Sequence, residues 1–301
     1  MSEWDLDARQ RNTLEYFRQH AADWRQRAEA DRERRVSTIG QRNDQAIRLV
    51  QSRPGQFKTA LDLGCGTGEL VFELARRSVE GMGVDFSDKM VELCREKADR
   101  LGLAGQCRFE VGSVPDYDYG TAQFDLVTAF GFIEYLRPEQ LAGFFALCRR
   151  LVVPGGSLQV GSRNRLFNVV SLNQFTQAEI NAGTAAELLQ EAVWLGQADT
   201  LDGYLEQAMA VASGQDVLRE YPQTDVDVAG YQYTPAAICR LLQGAGFRVA
   251  ALAPVHYHGF IPAIARANTE LHAGVSNLVH ERFPDEFRLV PYSSSYILTA
   301  G

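Results

Sequence analysis

The period of hydrophobic and polar positions changes three times along this chain, and each change marks a region. Residues 1 to 50 are rich in Arg, Glu, Asp, Gln and Ala, with no Pro and a single Gly, a composition that predicts one or two helices. Their 10 Arg are nearly balanced by 9 Asp plus Glu. The piece from Arg25 to Arg35 interleaves Glu29, Asp31 and Glu33, which suits i,i+4 pairing on a solvated helix. Tyr16, Phe17 and Trp24 are the apolar residues placed to dock this arm onto the body. From residue 59 short apolar runs alternate with helical periodicity. Strands are predicted at 59–63, 81–85, 107–111, 124–129 and 157–161, separated by helices over 69–77, from Ser87 as N-cap, and from Pro138 as a first-turn residue. The segment Pro154-Gly155-Gly156 reads as a turn. Strands alternating with helices imply right-handed crossovers and a mostly parallel sheet.

After the fifth strand the alternation stops for about 70 residues, longer than a plain loop. Residues 163–230 read as an inserted, mainly helical cap, with helices over 184–194 and 201–212 and a capping box from Thr184 to Glu187. Alternation resumes with a helix capped by Thr234 and opened by Pro235, then strands at 247–252 and 294–299. The organisation expected is an N-terminal helical arm (1–57), an α/β core (58–162), the cap (163–230), and a C-terminal part of the core sheet with a substrate-side loop (231–301).

A chain of 301 residues with 46% apolar content can bury a large core. Its net charge of -8 argues against general affinity for nucleic acid or anionic membranes. The five cysteines, Cys65, Cys94, Cys107, Cys148 and Cys239, are dispersed with no Cys-x-x-Cys pair, a reducing-compartment pattern without a metal framework. No basic leader and no run approaching ~20 apolar residues is present, so a cytoplasmic protein without a membrane span is expected. Oligomeric state is not readable.

The chemistry begins at Ala60-Leu61-Asp62-Leu63-Gly64-Cys65-Gly66-Thr67-Gly68-Glu69. A buried strand breaking into alternate glycines allows positive φ and close backbone approach to a ligand. A dinucleotide turn needs glycine at the sixth position, and Glu69 stands there; a Walker loop needs a Lys followed by Ser or Thr, and none is present. Asp62, inside an apolar strand, needs a partner for its carboxylate, or else caps amides of the glycine turn. Asp85 ends the second strand where an acid in nucleotide-binding α/β folds accepts from ribose hydroxyls.

Together with Gly83-Val84-Asp85-Phe86-Ser87, Phe124-Asp125-Leu126-Val127, Phe132-Ile133-Glu134-Tyr135-Leu136 and Leu151-Val152-Val153-Pro154-Gly155-Gly156, this decapeptide resembles the class I S-adenosylmethionine (SAM)-dependent methyltransferases. The resemblance covers about 40% of the chain and implies an α/β fold: a seven-stranded, mostly parallel Rossmann-like sheet with helices on both faces, plus the N-terminal helices and the cap. It implies SAM as cofactor. Asp62, Gly64 and Gly66 would hold its methionine portion, Asp85 the ribose, Phe86 and Met90 the adenine, and Phe130 would pass beneath the methionine. Ser113 stands where many relatives have Asp to accept from the adenine amino group, which shifts that contact toward backbone groups near Val114. Tyr135 replaces the His of the related Leu-Glu-His signature.

Methyl transfer chiefly requires positioning, exclusion of water and, for a hydroxyl acceptor, removal of its proton. His256 and His258, in Pro-Val-His-Tyr-His-Gly-Phe beyond the sixth predicted strand, are the candidate catalytic pair. Alternation would place both on one side of an extended segment, and an imidazole titrating near neutrality suits a general base. Structural hydrogen bonding is the competing reading. A His-x-His pair can also ligate metal, but no third ligand stands at informative spacing, so no metal is expected. Glu134, Tyr135, Arg163, Asn164, Tyr231 and Tyr233 are candidate substrate contacts, with Arg165, Asn168 and Asn173 in the same polar run. These features point to a methyltransferase acting on a hydroxyl, less readily an amine, of a small polar molecule, glycan or secondary metabolite. A non-catalytic SAM-binding regulatory or assembly protein is the alternative, and a nucleotide-dependent oxidoreductase is disfavoured by Glu69.

Overall fold

The structure, a computed structural model, describes residues 4, 6–24, 26, 38–211, 219–222 and 229–301. In chain order its strands are β1 (Thr59–Leu63), β2 (Glu80–Asp85), β3 (Cys107–Val111), β4 (Phe124–Ala129), β5 (Val152–Arg163), β6 (Arg219–Pro222), β7 (Ala229–Gln232), β8 (Val249–Tyr257) and β9 (Ser293–Ala300). Seven of them form one sheet in the order β3-β2-β1-β4-β5-β9-β8, while β6 and β7 pair as a separate hairpin. Strands β1 to β5 pair in parallel. Within this sheet only β9 runs against its neighbours, β5 and β8.

The helices are α1 (Ala8–Gln19), α2 (Thr38–Ser52), α3 (Glu69–Ala75), α4 (Asp88–Arg100), α5 (Pro138–Leu151), α6 (Phe167–Val170), α7 (Gln174–Asn181), α8 (Ala185–Gln197), α9 (Leu201–Val211), α10 (Pro235–Gly244), α11 (Pro262–Ala267) and α12 (Thr269–Arg282). Alternation along β1 sorts them onto the two faces. Leu61 and Leu63 pack in the cluster that holds Phe144 and Phe145 of α5 and Ile238 and Leu242 of α10. Ala60 belongs to the cluster of Ala46 and Ile47 from α2 and Leu70 and Leu74 from α3. Local signals account for several helix starts: the Ser87 hydroxyl accepts from the Met90 N–H at 3.3 Å, the Thr234 hydroxyl from the Ala237 N–H at 3.3 Å, and Pro138 and Pro235 open their helices.

Four expectations need correction. Thr184 does not form a capping box with Glu187, because its hydroxyl makes no cap bond to α8 and donates instead to the buried Glu179 carboxylate at 2.5 Å. Pro154-Gly155-Gly156 lies inside β5, opposite an irregularity in the pairing with β4. Residues 163–230 contain α6 to α9 but also β6 and β7, and Leu188, Leu195, Tyr204 and Leu205 sink into the main core. Its described helices are therefore packed against the body. Helices α11 and α12 stand between β8 and β9, where the periodicity predicts no helix. Apart from Gln26, the segment from Arg25 to Arg35 lies outside the described residues. Among the described residues no helix is long and apolar enough to cross a membrane.

Candidate active site

The turn after β1 is shaped by backbone that L side chains rarely adopt. Gly64 has φ +74° and Gly66 φ +51°. A Cβ on Gly64 would stand 2.7 Å from Phe132 Cδ2, whereas one on Gly66 would meet nothing within 4 Å. Gly66 therefore faces open space. Its N–H donates to Asp85 Oδ2 at 3.0 Å, and Asp85 Oδ1 accepts from the Ser87 N–H at 2.9 Å. The acid at the end of β2 thus ties the glycine turn to the start of α4. Asp62 is 7% exposed, and its Oδ1 accepts from Thr128 Oγ1 at 2.7 Å.

Burial dominates the proton affinity of both acids. It pushes the Asp62 carboxyl up to about 7, against the Thr128 hydrogen bond and with help from the charge of Asp85. Asp85 rises to about 6 by burial, opposed by the two backbone N–H groups. The two carboxyls, on β1 and at the end of β2, flank the glycine turn, where they can accept from a cation or from hydroxyl donors.

These groups border a cavity of about 600 Å³, within the usual range for small-molecule sites. It lies along the carboxyl ends of the parallel strands, where open α/β sheets place ligands. Every residue expected at the cofactor, from Asp62 to Phe130, borders it, as do Glu134, Tyr135, Arg163, His256 and His258. Ser113 donates its hydroxyl hydrogen to Asp116 Oδ2 at 2.7 Å, which leaves the oxygen lone pairs as acceptors. The roof comes from the N-terminal arm. Gln10, Thr13, Phe17 and Trp24 line the cavity, and the Phe17 ring stands 6.3 Å from Phe86 and 5.7 Å, edge-on, from Tyr135. Tyr16 packs on His20 and Phe17.

Asn164, Tyr231 and Tyr233 do not reach the cavity. Asn164 is buried, donating to the Val290 and Ser293 carbonyls at 2.7 and 2.9 Å and accepting from the Leu166 N–H. Tyr231 accepts at its hydroxyl from Arg9, and Tyr233 is buried in the core. The neighbouring polar run is structural as well. Arg165 makes a two-pronged pair with Glu179, at 3.0 and 2.9 Å, which Asn168 joins at 3.1 Å, and Asn173 caps α7. Within 163–230, among the described residues, only Arg163 borders the cavity. Among the described residues the cleft is roofed by the arm and not by the inserted helices.

The far wall holds polar groups that converge from distant parts of the chain. Glu134 is 2% exposed, with Oε1 4.0 Å from Arg163 Nε and Oε2 buried without a hydrogen-bond partner. Arg42 of α2 donates to Ser295 Oγ at 3.1 Å, and a Cβ on Gly131 would stand 2.5 Å from its Nη1. Sequence reasoning missed Arg42, which looks like any other arginine of a charged arm. Its one local signal is its place among the apolar positions Ile39, Ala46 and Ile47.

His256 is the last residue but one of β8 and has φ +57°, a conformation costly for a non-glycine residue. Its N–H donates to Gln41 Oε1 at 2.7 Å, and its Nδ1 lies 2.9 Å from Ser294 Oγ. The two expected histidines do come together, with ring centroids 4.5 Å apart. A third imidazole, His272 of α12, stands 5.4 Å from His256 and 4.7 Å from His258. Burial lowers all three. His256 falls to about 4, with His272 and Arg42 adding to the effect, and His258 to about 3, with His256 and His272 adding. Neither member of the expected pair titrates near neutrality; both stand as neutral rings.

The glycine turn, the acid at the end of β2 and a parallel sheet closed by one antiparallel strand define a cofactor-binding methyltransferase fold. Residues 60–156, about a third of the chain, match the family model described as a methyltransferase domain, which supports the class I SAM-dependent methyltransferase superfamily. The chain is 28% identical over 153 residues to a ubiquinone biosynthesis O-methyltransferase of Methylococcus capsulatus, covering 50% of this chain and 61% of the relative. It is 33% identical over 119 residues to one of Aromatoleum aromaticum, covering 36% and 46%. The matches therefore span about half to under two thirds of those relatives. In fold, the chain resembles the magnesium protoporphyrin IX methyltransferase of Synechocystis PCC 6803 solved with bound SAM, with TM-score 0.57, 15% identity and 99% of each chain covered. It also resembles a putative methyltransferase of Haloferax volcanii solved with the Trm112 activator, with TM-score 0.54, 17% identity, and 94% and 96% covered.

Proposed function

We propose that this protein transfers the methyl group of SAM to a hydroxyl, less readily an amine, of a small polar molecule. The observation that carries the reading is a roofed cavity with the Asp62–Gly66–Asp85 turn at one end and Glu134, Arg163, His256 and His258 at the other. The residues present fit SAM. Asp62 has one oxygen engaged by Thr128, which leaves the other for the methionine ammonium. Gly66 admits the ligand where a side chain would intrude. Asp85 would accept from the ribose hydroxyls, and Phe86, Met90, Ser113 and Val114, which line the same cavity, would hold the adenine. Phe130 and Gly131 border the same cavity and would contact the methionine portion. When bound, SAM supplies an electrophilic methyl carbon on a sulfonium.

The chain's own part is to align an acceptor oxygen with that carbon and to exclude water, which Phe17 and Trp24 do from above. Glu134 and Arg163 orient the acceptor, and His256 and His258 address its hydroxyl. The relatives named for O-methylation support oxygen as the acceptor atom. Calorimetry with SAM, its demethylated product and NAD tests the cofactor, and methyl consumption over a panel of hydroxylated small molecules tests the chemistry. Binding of SAM with turnover on at least one hydroxyl acceptor is expected; binding of NAD alone, or tight SAM binding with no methyl consumption, would refute the proposal.

A further inference from the structure

The acceptor wall contains a feature that hydroxyl orientation alone does not require. Three imidazoles from two elements, His256 and His258 around the end of β8 and His272 on α12, each offer a ring nitrogen, and these nitrogens all lie within 4.8 Å of one another. Two of the rings carry a buried nitrogen with no hydrogen-bond partner, His258 Nε2 and His272 Nδ1. Leaving a buried polar atom unmatched is costly, so two on one cluster call for an occupant. The third ring is already oriented. Ser294 Oγ lies 2.9 Å from His256 Nδ1 and can take that proton, which leaves Nε2 as the free donor atom. A hydrogen bond of this kind behind a ligating histidine fixes its tautomer and ring direction. The strained backbone of His256, held by Gln41, is a further investment in aiming this ring.

We propose that His256, His258 and His272 bind one divalent transition-metal ion of the zinc type. Three neutral nitrogen donors suit a borderline cation and not magnesium or calcium, which prefer oxygen. Three protein ligands also leave a tetrahedral ion one open position. His256 and His258 border the cavity, so that position faces the acceptor. An ion there would lower the proton affinity of a hydroxyl it binds, making the oxygen a better nucleophile without a base that titrates near neutrality. This last consequence rests on the methyl-transfer reading above, whereas the binding of the ion does not.

The test is metal binding, read without any methyl acceptor. Chelator-stripped protein is titrated with Zn²⁺ against a chromophoric competitor, and Cu²⁺-loaded wild type is examined by pulsed electron paramagnetic resonance to count coordinated imidazoles. One equivalent of Zn²⁺ per chain and three imidazoles on Cu²⁺ are expected. His258→Asn and His272→Asn should each weaken Zn²⁺ binding by at least ~10-fold, with SAM affinity in His272→Asn serving as the check that the chain is folded. No saturable Zn²⁺ binding, fewer than three imidazoles on Cu²⁺ in the wild type, or folded variants that bind Zn²⁺ as tightly as the parent would each overturn the proposal. The wild-type measurements decide the matter even if a variant fails to fold. Zn²⁺ binding without methyl transfer would retain the site and reject the function; methyl transfer without Zn²⁺ binding would do the reverse.

Discussion

Asp62→Asn should make the protein more stable and a poorer binder of SAM, with the larger stability gain at neutral and alkaline pH. Burial raises the Asp62 carboxyl from the usual 3.8 to about 7, and a tenfold change in proton affinity corresponds to about 1.4 kcal/mol between protonation states. The whole rise bounds the penalty of carrying this charge at about 4 kcal/mol, which relaxation and water penetration reduce to roughly 1–3 kcal/mol. Because the folded-state value lies above the unfolded one, the folded protein holds the extra proton between about pH 4 and pH 7, and stability falls as pH rises through that window. Asn is nearly isosteric and still accepts the Thr128 hydroxyl through its own Oδ1, so little is lost on the other side of the balance.

Urea unfolding of ligand-free parent and variant at pH 5 and pH 8 reads the effect. The variant should be favoured at both, by at least about 1 kcal/mol more at pH 8 than at pH 5, since over half of the penalty accrues between them. The amide cannot pair with an ammonium group, so the same variant should lose about 10- to 100-fold in SAM affinity by calorimetry. A parent as stable as Asp62→Asn at pH 8, or an equal gap at both pH values, would refute the claim that this carboxylate is held charged at a cost. Unchanged SAM affinity would remove it from the cofactor site.

Three further substitutions probe other parts of the molecule. Gly64→Ala places a side chain at φ +74° and 2.7 Å from the Phe132 ring; a loss of roughly 1–3 kcal/mol in chemical unfolding is expected, and a neutral result would show that the turn relaxes freely. Glu179→Gln removes the carboxylate charge facing the guanidinium of Arg165, which is 8% exposed, and should cost roughly 3–5 kcal/mol, seen as a drop in melting temperature; an unchanged melting temperature would mean the pair does not hold α6 and α7 to the body. Phe17→Ala removes the aromatic roof over Phe86 and should weaken SAM binding by about 5- to 30-fold with little change in global stability. Equal affinity for SAM would show that the arm plays no part in closing the cavity.

What could be read from the sequence divides according to whether backbone or distant side chains make the feature. The cofactor half was legible because its demands are local. A strand that must end in positive φ leaves glycines at fixed places, and the acid at the end of β2 sits where the next helix begins. The acceptor half was not. Arg165, Asn168 and Asn173 look like a polar lip when taken in order, yet Glu179 captures two of them and a helix start takes the third. Asn164 is claimed by carbonyls of Val290 and Ser293, more than a hundred positions away in sequence.

Helix α12 shows the same limit in another form. It exposes Leu271 and Leu278, each 55%, while burying Ser276 and His280 at 0% and 7%, so its apolar periodicity points away from the body and gives no helical signal of the ordinary kind. That inversion also concealed His272. A polar face turned inward is costly unless it meets matching groups; on α12 Ser276 meets Gln41, 3.2 Å apart, while His280 lies 3.4 Å from Asp44 without a hydrogen bond. One helix of the N-terminal arm therefore supplies Arg42 to the cavity, Gln41 to the backbone of His256, and Gln41 and Asp44 to the helix that carries His272. The arm is thus part of the framework of the cavity's far wall, and on the proposed function variation within it should alter which acceptor is taken even where the cofactor turn is untouched.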